Sequence, residues 1–112
     1  VPLDTGGPLT RQALEAQQID VALMFTTDPN ITKDDLVALV DDRRLQPSEN
    51  VTPIVRRDVL ERFGDAFAAV VDRVSSRLTT ETLRDLNGKV SFDGRAPAAV
   101  AREWLSAEGL AA

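Results

Sequence analysis

The sequence contains no cysteine, no histidine and no tyrosine, and it has one tryptophan and one methionine. Without Cys or His there is no zinc finger, no thiol redox motif and no Ser or Cys nucleophile served by a histidine base. The lack of cysteine also removes any disulfide clue to compartment. Positive charge is scarce too, with 13 Lys and Arg against 18 Asp and Glu, a formal net charge of -5. A nucleic-acid binder needs a basic patch that releases counterions from phosphates, so that class is excluded. No run approaches the ~20 apolar residues of a membrane span. The chain opens at Val1 rather than Met, and the expectation is that an upstream segment was removed or not included.

What is present is a globular mix, 43% hydrophobic and 28% charged over 112 residues, enough for one domain with a modest core. Residues 1–4 read as an extended lead-in. Gly6, Gly7 and Pro8 signal a helix start, and the helix is expected to run to Gln17, with Leu9, Ala13 and Leu14 near one face. Residues 19–25 form a nearly continuous apolar run, the pattern of a strand covered on both faces. Thr26-Thr27-Asp28-Pro29 ends it. Residues 32–35 read as a turn or a single helical turn. Residues 36–40 read as a second strand and residues 51–55 as a third, with Pro53 favouring a sheet edge.

From Asp58 onward the period becomes helical. Gly64 is expected to stop a short helix, and Phe67, Val70, Val71, Val74 and Leu78 follow the spacing of a buried stripe. Thr79 caps a helix expected to end at Asn87-Gly88. Residues 90–92 read as extended. Pro97 opens a last helix that ends at Gly109, with Val100, Ala101, Trp104 and Leu105 facing inward. Phe63, Phe67 and Trp104 read as core. The pairs Asp34-Asp35 and Asp41-Asp42 lack calcium-loop spacing and read as solvated turns. Two sequons, at Asn30 and Asn50, have the short pattern that arises often by chance. No base, nucleophile or carboxylate pair stands out for catalysis, so the expectation is a non-enzymatic protein without cofactor or metal.

Several segments, taken in order, carry a resemblance. They are Leu3-Asp4-Thr5-Gly6-Gly7-Pro8-Leu9-Thr10, Ile19-Asp20-Val21-Ala22, Phe25-Thr26-Thr27-Asp28 and Leu36-Val37-Ala38-Leu39 with Asp41-Asp42. Then follow Asn50-Val51-Thr52-Pro53-Ile54-Val55-Arg56, Leu78-Thr79-Thr80-Glu81, Val100-Ala101-Arg102-Glu103-Trp104-Leu105 and Gly109-Leu110. The series resembles the C-terminal section of ProX/OpuC-type osmoprotectant-binding proteins of ABC importers, which capture glycine betaine, choline or carnitine. The resemblance implies an α/β architecture, part of a class II periplasmic-binding-protein fold, with few short strands followed by covering helices. It places residues 1–24 in the middle-of-chain lobe and residues 25–29 in an inter-lobe crossover. Residues 30–112 then complete the first lobe.

The same resemblance implies a small-molecule solute, an ABC permease partner and an extracytoplasmic location, periplasmic or at the cell envelope, with lipid anchoring of the intact protein left open. A quaternary ammonium is held by aromatic faces and a carboxylate by N–H or O–H donors. The ligand-binding residues implied are Thr10, Phe25, Thr26, Thr27, Glu49 and Asn50, with Gly6 and Gly7 exposing helix-start donors. Each has a plainer alternative: a hinge or core aromatic for Phe25, turn chemistry for the threonines and glycines, a solvated loop for Glu49. The competing expectation is a stand-alone interaction module, since uncovered strand edges favour a homodimer or strand swapping.

Overall fold

A computed structural model describes residue 4, residues 6–47 and residues 49–111. The expected lead-in at residues 1–3, together with Thr5 and Ser48, lies outside the described residues. The described residues form five helices: α1 (Pro8–Glu15), α2 (Asn30–Lys33), α3 (Arg57–Ser75), α4 (Thr80–Ser91) and α5 (Pro97–Ala107).

Several helix ends have a local reason. Pro8 occupies the first turn of α1, where its missing N–H costs nothing and its fixed φ suits the helix. The Asp4 carboxylate accepts from Leu9 N at 3.2 Å and Thr10 N at 2.9 Å, filling two of the orphan donors of that end. Thr79 caps α4 as expected, its Oγ1 accepting from Thr82 N at 3.1 Å. Pro97 opens α5, and Leu110 N donates to Leu105 O at 2.8 Å where Gly109 turns at φ +65°. This is the glycine-ended closure read from the sequence.

Gly64 breaks α3, with φ +66° and ψ -164°. That region is open to glycine almost alone. The expected helix stop at Gly64 is therefore a sharp joint between two helical pieces.

The expected strands are not formed among the described residues. Residues 19–25, 36–40 and 51–55 carry no strand in the structure. Helices close their hydrogen bonds within four residues, whereas a strand needs a ladder partner from elsewhere. None of these three segments finds one among the described residues. Residues 21–25 do alternate: Val21, Leu23 and Phe25 are exposed while Ala22 and Met24 are half-buried. The run is covered on one side, not on both. Val37 is 83% exposed and Ile54 94%.

Further helical expectations fail as well. α4 does not end at Asn87-Gly88, and residues 90–92 are not extended, because the helix continues to Ser91 with Phe92 N donating to Gly88 O at 2.8 Å. Asp85 and Lys89 support that turn with an i,i+4 pair at 2.8 Å. Gly88 keeps helical geometry, and a Cβ there would make only ordinary contact with Pro29, 3.5 Å away. Phe63, expected in a core, is exposed and lies 6.1 Å from Phe67 between ring centroids. Ala101 is exposed as well.

α4 packs against α5. Val100 is buried there, and Arg95 bridges to Glu103 at 2.5 Å. Ala13 and Val100 are the buried apolar residues among those described. The Cα radius of gyration is 17.5 Å, against about 13 Å for a compact domain of this length. The described residues thus form local helical units on an open frame rather than one closed core.

Candidate functional site

The stretch after Met24 is positioned by α4. Arg84 donates from Nε at 2.9 Å and from Nη2 at 2.6 Å to the carbonyl oxygen of Thr26. One turn on, Asn87 Nδ2 donates at 3.0 Å to the carbonyl of Thr27. Asp28 N closes a turn onto Phe25 O at 2.9 Å. The Asp28 carboxylate accepts from Asn30 N and Nδ2, both at 2.8 Å, and leads the chain into α2. Two consecutive carbonyls of the segment are therefore held by side chains from about sixty residues away.

A cleft of about 420 Å³ opens beside this segment. Thr26, Thr27, Glu49 and Asn50 line its polar side, and Val70, Val74, Leu78 and Leu83 its apolar side. Four of the residues singled out in the sequence thus share one cleft. Phe25, 60% exposed, lies instead on an open groove with Thr27, Pro29 and Asn87. Thr27 lines both. A Cβ on Gly6 would stand 3.6 Å from Phe25 Cδ2 and 3.3 Å from Leu23 O. Of these only the Leu23 carbonyl would be crowded, and the Gly6 φ of +70° is the stronger need for glycine beside the Phe25 strip.

Thr10 is placed differently. It is 4% exposed, and its hydroxyl donates to the Asp4 carbonyl. The Asp4 carboxylate holds the amides of Leu9 and Thr10, and these bonds keep its pKa below the ordinary value, backbone donation from Thr10 foremost. A side chain at Gly7 would collide with that carboxylate. Gly6, Gly7 and Thr10 therefore build the Asp4 loop, and of these Gly6 touches the Phe25 strip.

Sequence reasoning missed five positioning residues. Besides Arg84 and Asn87, Arg11 donates from Nε at 2.5 Å and from Nη2 at 3.3 Å to the two oxygens of Asp34. The guanidinium also meets Glu15 at 2.6 Å. The contact ties α1 to the end of α2 across the intervening segment. The hydrogen bond from Arg11 is the main reason the Asp34 carboxyl is held below its ordinary pKa, against desolvation. Asp41, read as a solvated turn, accepts from Gln46 N at 2.8 Å and shapes the loop leading to Glu49. Its carboxyl is lowered by backbone donation from Gln46 first and Leu45 second. One signal was available for Arg84 and Asn87. They stand three apart, so they share a face of α4, and both carry long or forked donors.

The arrangement offers hydroxyls at Thr26 and Thr27, a carboxylate at Glu49 and an apolar wall. It suits a small ligand that joins a cationic or alkyl part to a polar end. Among the described residues no helix is long and apolar enough to cross a membrane.

Comparison with known proteins gives one consistent answer. Residues 2–107 match the family described as the substrate binding domain of ABC-type glycine betaine transport system. The glycine-betaine-binding protein of Pseudomonas aeruginosa is 33% identical over 103 residues, 92% of this chain and 32% of that protein. The ergothioneine transport permease/ergothioneine binding protein EgtU of Helicobacter pylori is 28% identical over 102 residues, 91% of this chain and 18% of that protein. The carnitine transport binding protein OpuCC of Listeria monocytogenes is 27% identical over 104 residues, covering 93% of this chain and 33% of that protein. The chain spans a third or less of the length of these curated relatives. It belongs to the family of substrate-binding domains of ABC-type glycine betaine transport systems.

Proposed function

We propose that this chain is part of the extracytoplasmic solute-binding component of an ABC importer that captures a compatible solute such as glycine betaine, choline or carnitine. The protein acts as a receptor rather than an enzyme and delivers its solute to a membrane permease, a role suited to osmotic stress. The observation that carries the reading is the family match along residues 2–107. It is supported by Thr26, Thr27, Glu49 and Asn50 meeting at one cleft.

In the proposed architecture, a class II periplasmic-binding α/β fold, residues 1–24 belong to one lobe, residues 25–29 to the crossover and residues 30–112 to the other. The apolar runs at 19–25, 36–40 and 51–55 pair as strands in the full architecture. Phe25 supplies an aromatic face for the trimethylammonium group, and Glu49 offsets its charge. Thr26, Thr27 and Asn50 supply polar contacts. Gly6, Gly7 and Thr10 serve indirectly, by holding the loop against which Phe25 rests. Hinge closure then brings the two halves of the site together over the solute. A stand-alone interaction or dimerisation module draws no support from the relatives.

The test is calorimetric titration of the full-length protein with glycine betaine, choline, carnitine and ergothioneine in turn. Micromolar or tighter binding of any of them is the expected result. The absence of heat with all four overturns the reading.

A further inference from the structure

The bonds from α4 to the segment after Phe25 fix more than its position. Arg84 places two N–H groups on the Thr26 carbonyl, at 2.9 and 2.6 Å, and Asn87 takes the next carbonyl at 3.0 Å. The peptide between Thr26 and Thr27 is trans. In a trans peptide the C=O and N–H point in opposite directions. With the carbonyl turned onto the Arg84 guanidinium, the N–H of Thr27 is turned away from it. That N–H donates to no acceptor among the described residues, whereas the next amide, Asp28 N, is engaged with Phe25 O. A guanidinium on the carbonyl end also polarises the peptide and makes its N–H a stronger donor. At the start of α1, the amides of Leu9 and Thr10 are already held by Asp4.

We propose that Arg84, assisted by Asn87, is a positioning residue for ligand recognition: it turns the Thr26–Thr27 peptide so that Thr27 N–H receives the carboxylate of the solute. The inference rests on the receptor reading above and deepens it. It assigns the carboxylate to a main-chain donor of the crossover and makes Arg84, which never touches the solute, a determinant of preference for carboxylate-bearing solutes over choline.

The experiment uses the full-length protein and three probes, glycine betaine, carnitine and choline. In the unaltered protein, the Thr27 amide resonance is expected to move downfield and saturate with glycine betaine or carnitine, and to move much less with choline. Arg84→Met is expected to weaken both carboxylate-bearing probes by about tenfold or more, leave choline within about twofold, and leave the thermal midpoint of the unliganded protein nearly unchanged. Arg84→Lys, which keeps one donor for the carbonyl, is expected to restore part of the loss. A structural role alone would weaken all three probes together. The proposal is overturned by equal losses for all three, by no loss, by an unmoved Thr27 amide, or by an unaltered protein that binds choline alone. The amide measurement stands even if the Arg84 variants fail to fold. A protein that binds none of the probes defeats the receptor reading itself, and this inference with it.

Discussion

The α4–α5 unit and the stretch from residue 36 to residue 55 hold comparable shares of apolar residues, yet they behave in opposite ways. In α4 and α5 the backbone satisfies itself, Thr79 and Gly109 close the ends, and Val100 on α5 is 3% exposed. Along 36–55 the apolar side chains stand out: Val37, Leu39, Val40, Leu45 and Ile54 are all exposed. The order in this stretch comes chiefly from Asp41 closing its loop on Gln46. The difference lies in what each kind of segment requires. A helix needs only its neighbours in sequence and one apolar face to bury. An extended apolar run stays unpaired until a second strand is laid beside it.

The sharpest way to break the comparison is Val100→Asp. An uncompensated charge at a buried site costs about 3–5 kcal/mol, so amide exchange protection should vanish from α4 and α5 together. Exchange along 36–55 should not change. If the stretch responds as well, the two regions are one cooperative unit. A smaller effect is expected at the joint in α3. Gly64→Ala meets nothing within 4 Å, so the cost is that of the backbone conformation alone, about 1–3 kcal/mol. It is read as a lower thermal midpoint with an unchanged denaturant m-value.

Acid probes the region ahead of the 36–55 stretch, where Arg11 joins Asp34. Asp34 is held below its ordinary 3.8, so its contribution is complete above that pH and fades as pH falls through the lowered value. Arg11→Met should move the Asp34 titration, followed by carboxyl NMR, back up towards 3.8. An unmoved titration would mean that the pair does not form in solution. The smallest effect belongs to Ile54→Thr. With Ile54 94% exposed, the stability of this chain should change by less than about 0.5 kcal/mol. A larger loss would reveal a cover over the segment and erase the contrast with α4–α5.

The same contrast explains what was legible in the sequence. Helix ends were readable residue by residue, because Pro8, Gly64, Thr79, Pro97 and Gly109 act through their own backbone neighbours. The apolar runs at 19–25, 36–40 and 51–55 were visible as patterns, but pairing is non-local and no local signal can supply it. Gly88 was misread as a helix end: it stays in the helix, with Phe92 N donating to its carbonyl, and does not take the left-handed φ of a terminating glycine. The grouping of Thr26 and Thr27 with Glu49 and Asn50 was reached through resemblance. The side chains that arrange this grouping were not, since an arginine on a helix gives no sign of which carbonyl it will find.

Asp4 has one more consequence. Its carboxylate sits on the amides of Leu9 and Thr10, so the start of α1 carries a tethered competitor for any anion. A tethered group acts at an effective concentration in the millimolar range or above. A free carboxylate would have to outbid it while also losing its own translational freedom. These two amides of α1 are thereby occupied before any free anion arrives.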